Sequence, residues 1–222
     1  MVNILMADDH AIVRYGTIAL IKELFEDVSV SEAANFDETL HLIEERPFDL
    51  LVLDINIPGG NSFQMIDVLR LRQPNLKILI FTAYDEHLYG FRYLQAGADG
   101  FLMKNSDEQE IKYAIRSVLN NEKYFGPSVK AYLLDKIHQK KQEVSNPLLT
   151  LSNRETEVVR LLIQGNGIAE IARLLHLQIS TVSTYKVRIF QKLNVRNIVE
   201  LVERFNLYNG MGAGTAGTAS AG

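Results

Sequence analysis

The sequence predicts an α/β fold, a doubly wound, five-stranded parallel sheet, followed by a small all-α domain of four helices. Three observations carry this expectation. Over residues 1–125, short apolar runs alternate with amphipathic stretches. From Leu149 onward the strand signals stop and only helical periodicity is left. Charge also divides along the chain: residues 1–125 carry eleven Lys/Arg against twenty Asp/Glu, a net −9, whereas 126–148 carry +2 and 149–222 carry +3. An acidic part can hold a cation and a mildly basic part can meet phosphate backbones.

Each element has its own signal. Ile4–Ala7, Leu50–Leu53 and Ile78–Phe81 are continuous apolar runs suited to strands buried on both faces. Val28 and Val30 mark a shorter strand, and Gly100–Met103 a fifth. Between them, Val13, Leu20, Ile21 and Leu24 recur at helical spacing, as do Phe36, Leu40 and Ile43, and then Met65, Ile66 and Leu69. A fourth helix near Glu86–Ala96 ends at Gly97, a residue suited to the left-handed C′ position. The fifth opens with Ser106 three residues before Gln109, a capping-box spacing.

Residues 126–148 read as a linker: Gly126-Pro127 breaks the pattern, Lys130–Gln142 is a polar helix with a basic end, and Ser145-Asn146-Pro147 breaks it again. In 149–208, Ser152 and Glu155 form a capping box before Val158, Val159, Leu161 and Leu162. Gly165 and Gly167 interrupt, and a short helix follows with Ile168, Ile171, Ala172 and Leu175. After a turn at His176–Gln178, a longer helix runs from about Ser180 to Leu193, and a last one holds Ile198, Leu201, Val202 and Phe205. Residues 209–222 are expected to be a disordered tail or an expression scar.

Composition narrows the function classes. The absence of cysteine rules out disulfides and Cys-ligated zinc, and fits a reducing compartment. No apolar run approaches the roughly 20 residues of a membrane helix. Met1–Leu5 leads straight into a strand pattern, so no signal peptide is expected.

In a doubly wound sheet the functional crevice lies outside the carboxyl ends of the strands. Here the first strand ends in Asp8-Asp9, the third in Asp54, the fourth in Thr82 and the fifth in Lys104. Taken singly, such residues usually cap turns or meet solvent. Placed together, three carboxylates repel one another, and an all-oxygen set relieved by a divalent cation suits Mg²⁺. A cation and an ammonium around one carboxylate make a trap for a phosphoryl group. Asp54 is the candidate nucleophile, with Lys104 and the Thr82 hydroxyl stabilising the transferred oxygens.

The segments Met6-Ala7-Asp8-Asp9-His10, Leu53-Asp54-Ile55-Asn56-Ile57-Pro58-Gly59-Gly60, Phe81-Thr82-Ala83 and Gly100-Phe101-Leu102-Met103-Lys104 resemble the receiver domain of the two-component family, over residues 1–125. The resemblance implies a flavodoxin-like fold, Asp54 as phosphoacceptor, Asp9 as a direct Mg²⁺ ligand, Asp8 acting mainly through water, and the backbone carbonyl of Asn56 as a further ligand. It also implies a histidine kinase as phosphoryl donor, slow hydrolysis of the phosphorylated form, and a switch in which Phe101 moves inward as Thr82 turns toward the phosphate, by packing alone since Phe has no hydroxyl; a core Phe of the strand is the other reading of that position. Asn105 follows Lys104 where many receivers have a cis-bonded proline. A cis Lys–Asn bond is costly, so a trans bond or some strain is expected there.

A second resemblance runs through Leu151–Val158, Glu170-Ile171-Ala172, Thr181–Tyr185, Ile189–Val195, Asn197 and Glu200-Leu201-Val202. It is similar to the LuxR-type helix-turn-helix of the NarL/FixJ response regulators. The long helix places Val182, Ile189 and Leu193 toward a core and Ser180, Thr181, Ser183, Thr184, Lys186 and Arg188 away from it. Those residues suit phosphates and base edges in a major groove. Tyr185, Lys192 and Arg196 are expected to add backbone contacts, and Arg154 to pair with Glu157 or a neighbouring carboxylate. The sequence departs from the family at Ser183, where Lys is common, at Gly167-Ile168-Ala169, where Ser-Asn-Lys is usual, and at Gln178-Ile179, which stand where a Ser usually opens the helix. Fewer cations imply weaker binding by one head, with dimerisation supplying affinity.

These readings combine into a cytoplasmic, phosphorylation-controlled regulator that binds promoter DNA as a homodimer. Two other classes stay open at this level. One is a Mg²⁺-dependent phosphohydrolase working through an aspartyl phosphate, although Asn56 stands where a second acid would be expected. The other is a signalling adaptor that has lost DNA binding.

Overall fold

The computed structural model describes residues 1–60, 63–127, 129–131, 133 and 146–210, the side chains at 87, 209 and 210 excepted. The chain divides into two compact units, Met1–Asp135 and Lys136–Gly222.

In the first unit, β1 (Val2–Ala7), α1 (Ala11–Leu24), β2 (Val28–Ala33), α2 (Phe36–Glu45), β3 (Leu50–Leu53), α3 (Gln64–Arg72), β4 (Lys77–Thr82), α4 (Glu86–Gln95), β5 (Gly100–Met103) and α5 (Glu108–Leu119) alternate along the chain. The strands form one parallel sheet in the order β2-β1-β3-β4-β5. Burial explains the apolar runs: all four residues of β3 are buried, because helices cover both of its faces. One parity of the strands (Ile4, Met6, Leu50, Val52, Leu79, Phe81) packs with Ile18 and Ile21 of α1 and Ile111, Ile115 and Val118 of α5. The other parity, including Leu5, Leu51, Ile78, Ile80 and Phe101, is equally buried.

Helix ends follow capping chemistry. Gly97 takes φ +99°, and the amides of Gly97 and Ala98 bond to the carbonyls of Leu94 and Tyr93, a Schellman closure of α4. The expected cap of α5 is corrected by one residue. Asp107, not Ser106, is the N-cap, its carboxylate accepting from the Glu110 amide at 2.8 Å. A carboxylate binds the orphan amides and the positive helix end more strongly than a hydroxyl. The amide of Ser106 instead closes a turn onto Met103.

Positions 127, 129–131 and 133 of the expected linker are helical, whereas 134–142 of the helix expected over Lys130–Gln142 lie outside the described residues. Where the chain leaves α5 it is fastened to α4. The Gly126 amide donates to the Glu86 carboxylate, and Val129, 2% exposed, sits over Gly90. A side chain at Gly126 would meet the far end of the Glu86 side chain, which would have to shift to admit it.

The second unit opens with a 3₁₀ turn, Pro147–Thr150, capped by Asn146. It continues with α6 (Asn153–Ile163), α7 (Ile168–Leu174), α8 (Ile179–Leu193) and α9 (Ile198–Gly210). The capping box predicted at Ser152 and Glu155 is present. Val158, Val159, Ile171, Val182, Ile189, Leu193 and Leu201 meet in its core. Asn194 ends α8 in the left-handed region, φ +51°, a conformation that Asn tolerates better than most residues. The tail expected over 209–222 is corrected at its start, because α9 runs through Gly210, and 211–222 lie outside the described residues.

Candidate functional site

Backbone pairing carries the sheet one residue past each strand and brings the polar residues together. The Asp8 amide bonds to Ala33 O (3.1 Å), the Asp54 amide to Ala7 O (2.8 Å) and the Lys104 amide to Thr82 O (2.7 Å). Asp8, Asp54 and Thr82 are buried and Asp9 is exposed at the rim. The Lys104 ammonium lies 2.6 Å from Asp8 Oδ2 and 3.0 Å from Asp54 Oδ2. Burial alone would lower the pKa of this ammonium. The hydrogen bond to Asp8 and the charge of Asp54 outweigh it and hold the pKa above the usual lysine value. The second oxygen of Asp54 accepts from the Asn56 amide at 3.2 Å, so the loop after β3 orients the carboxylate. Thr82 Oγ1 accepts from the Tyr84 amide at 3.3 Å. The Lys104–Asn105 bond is trans, since the described chain holds no cis peptide.

Two neighbours of the site went unassigned at the level of sequence. His10 Nδ1 is 2.7 Å from Asp9 Oδ1 and 3.2 Å from Asp8 Oδ1, and the His10 amide donates to Asp8 Oδ1 at 2.9 Å. Arg14 Nη1 donates to the Asp8 carbonyl at 2.7 Å while its Nε meets Glu32 at 3.1 Å. His10 was visible as the residue after Asp8-Asp9. Arg14 was not, because its contact depends on how α1 leaves the first strand.

Phe101 is 1% exposed, with its ring centroid 6.2 Å from that of Tyr93, which lies 4.6 Å from that of Phe63. The ring thus sits where the core reading of Phe101 puts it. The ring is already inside because, without a hydroxyl, it has no polar tip to keep in water.

The donor set fits a hard divalent cation. Ligand atoms of Asp8, Asp9, His10 and Asp54 all lie within 4.8 Å of one another. Three carboxylates there face one ammonium, so negative charge is in excess and oxygen donors predominate. Asp8, Asp9, Asp54 and the Asn56 carbonyl are the groups that would hold Mg²⁺.

In the second unit α8 buries Val182, Ile189 and Leu193, the three residues expected toward the core. Ser180, Thr184 and Arg188 are exposed, and with Thr181 and Tyr185 they line a hollow of 280 Å³. The hydroxyls of Ser183 and Thr184 donate to the carbonyls of Ile179 (3.0 Å) and Ser180 (2.9 Å) of their own helix. The Lys186 ammonium lies 5.4 Å from the Phe190 ring centroid. Neither Gly167 nor Gln178 makes a side-chain cap, as expected from the polar residues missing there. Arg154 pairs with Glu157 at 2.8 Å, as predicted. Lys192, expected among the DNA contacts, is exposed and has partners within its own unit. Its ammonium lies 2.6 Å from Oε2 of buried Glu155 and 3.2 Å from Thr150 O, adding a positive partner to a carboxylate that also accepts from the Ser152 amide.

The model of the response regulator receiver domain matches residues 4–116, and that of the luxR family of bacterial regulatory proteins matches residues 149–205. The chain belongs to the response regulators. The oxygen regulatory protein NreC of Staphylococcus carnosus (strain TM300) is 34% identical over 208 residues, covering 90% of this chain and 95% of NreC. Among solved structures, RcsB from Salmonella enterica serovar Typhimurium, bound to the promoter rprA in the presence of the phosphomimetic BeF₃⁻, aligns with TM-score 0.73 and 25% identity over 93% of this chain and 99% of that one. A structure of two RcsB dimers bound to two parallel DNAs aligns with TM-score 0.57 and 26% identity, over 92% and 98% of the two chains. This response regulator thus pairs a receiver with a LuxR-type helix-turn-helix. Among the described residues no helix is long and apolar enough to cross a membrane.

Proposed function

We propose that this response regulator accepts a phosphoryl group on Asp54 from a histidine kinase and, so modified, binds promoter DNA as a homodimer through α8. The observation that carries the reading is the Lys104 ammonium lodged between Asp8 and Asp54, on a chain whose other unit is a helix-turn-helix. An Asp54 oxygen forms the new P–O bond as the P–N bond of a phosphohistidine breaks, the electron pair staying on the departing imidazole. Lys104 follows the charge onto the phosphoryl oxygens, and the Thr82 hydroxyl turns to donate to one of them. Mg²⁺, when bound, neutralises the developing charge. The Asn56 amide keeps Asp54 oriented throughout.

The chain is then a stoichiometric acceptor rather than an enzyme acting on a small phosphate ester. In support, Asn56, not an acid, stands two residues after the nucleophile. Thr181, Tyr185, Lys186 and Arg188, with Ser180, Ser183 and Thr184, are the groups assigned to DNA. The pairing of heads is supported by the RcsB dimers on DNA and by the small number of cations on α8. DNA binding, on this reading, supports a cytoplasmic location.

The test compares wild type with Asp54→Asn, each treated with beryllofluoride or acetyl phosphate and Mg²⁺. Wild type is expected to shift to a dimer and to retain promoter fragments about 5- to 150-fold more tightly, the usual range of a coupling between two sites. Asp54→Asn is expected to do neither. Identical behaviour of the two proteins would remove the phosphoswitch and leave the DNA-binding head. No retention by either protein would favour the adaptor.

A further inference from the structure

One side chain on the outer face of α8 does not match its surroundings. Opposite the buried Val182, Ile189 and Leu193, the positions Ser180, Thr184, Val187 and Gln191 follow one another at helical spacing and are all exposed. Three are polar. Val187 is apolar and 56% exposed. A β-branched residue gains nothing for helix stability there, since it loses rotamer freedom in a helix and buries little. Ile179, also exposed, lies on the side of α8 that carries Lys186 and Phe190, away from this stripe.

The polar neighbours show what the stripe can meet. The Thr184 and Ser183 protons are engaged by carbonyls of their own helix, which leaves their oxygens as acceptors. Phosphate oxygens only accept, so in these rotamers the hydroxyls do not suit the DNA backbone. They do suit the exocyclic amino groups of adenine or cytosine, which are donors on the major-groove edge. The stripe is thus suited to base edges, and its members Ser180 and Thr184 line a hollow with Arg188. On that edge of the standard base pairs, the methyl group is contributed by thymine C5.

We propose that Val187 is a specificity-determining residue, seated against the C5-methyl group of a thymine in the major groove. The inference rests on the DNA-binding reading above and adds to it the chemistry by which one base is selected. Burying one methyl group between two apolar partners is worth about fourfold in affinity. Because Val187 is exposed in the free protein, its replacement removes the contact without opening the core.

The experiment uses the full chain loaded with beryllofluoride and a duplex recovered by in vitro selection against it. Each thymine is replaced singly by deoxyuridine, which deletes only the methyl, and Kd is read by fluorescence anisotropy. At one thymine per half-site the replacement is expected to weaken binding about fourfold. Val187→Ala and Val187→Ser are expected to bind the thymine and uracil duplexes of that position equally. Tolerance of deoxyuridine at every position, or discrimination that survives in both variants, would overturn this inference while leaving DNA binding intact. Failure to recover any duplex would overturn the function reading, and the inference with it.

Discussion

Lys104 and Lys192 show how one residue type takes two roles according to its partners. Lys104 joins two buried carboxylates that come from different strands. Replacing it by alanine is expected to slow phosphoryl uptake from acetyl phosphate on the order of a hundredfold, the usual loss when one preorganised charge is removed. Phosphate-affinity electrophoresis over time checks this. Lys192 meets a carboxylate too, but on the α6 capping box. Lys192→Met is expected to cost about 1–3 kcal/mol in stability, because it removes a charged partner from buried Glu155. Urea titration reads that loss, and the salt dependence of DNA binding should not move. Arg188→Ala is expected to do the reverse, leaving stability alone and lowering the salt slope by about one per head, about two for the dimer. Nothing in the local sequence distinguishes Lys192 from Arg188. The partner of Lys192 stands 37 residues away and is set by the packing of α6 on α8.

Among the elements, the loops at the amino edge of the sheet depend on Asp99. Its carboxylate accepts from the Ile78 amide (2.9 Å), Arg70 (2.6 Å) and Lys123 (3.0 Å), while Arg70 also reaches the carbonyls of Leu76 and Gly97. Burial pushes the Asp99 pKa up, but the Ile78 amide, Lys123 and Arg70 together bring it below the usual aspartate value. The folded pKa is thus the lower one. The stabilisation is complete above the unfolded value and is lost as pH falls through the folded value, below the ordinary aspartate range. Asp99→Asn is expected to flatten that acid limb of the stability curve, which urea midpoints from pH 2 to 6 would show (roughly the window of carboxylate titration). The fastening of residues 126–129 to α4 gives a second test. Gly126→Ala displaces the Glu86 carboxylate from the Gly126 amide and is expected to cost about 0.5–1.5 kcal/mol, the worth of one hydrogen bond. Shortening the obstacle with Glu86→Ala in the same chain should recover part of it, as a double-mutant cycle would measure.

For the whole molecule, the divided charge carries the expectation. The acidic first part concentrates carboxylates at a cation site, so chelation of Mg²⁺ by EDTA is expected to abolish phosphorylation and, with it, the phosphate-dependent gain in DNA retention. The second part is only mildly basic. With Lys186, Arg188 and Arg196 as the cations each head offers, a dimer is expected to show a slope of log K against log salt no steeper than about −5. Anisotropy titrations between low and moderate salt measure it, and a much steeper slope would mean that further cations reach the backbone.

Much of the fold was legible because its signals are local. Leu50–Leu53 announces a strand buried on both faces, and the spacing of Val182, Ile189 and Leu193 announces one inward stripe, since burial demands apolar residues at the period of the element. The candidate pocket was legible because strand ends in such a sheet share one edge. Contacts between elements were decided only on folding: the ring of Phe101 against Tyr93, Arg14 against the Asp8 carbonyl, and Lys192 on Glu155. Local pattern reports which face of an element is apolar. Which polar side chains then meet depends on packing angles and helix register, quantities that exist only once the elements are assembled.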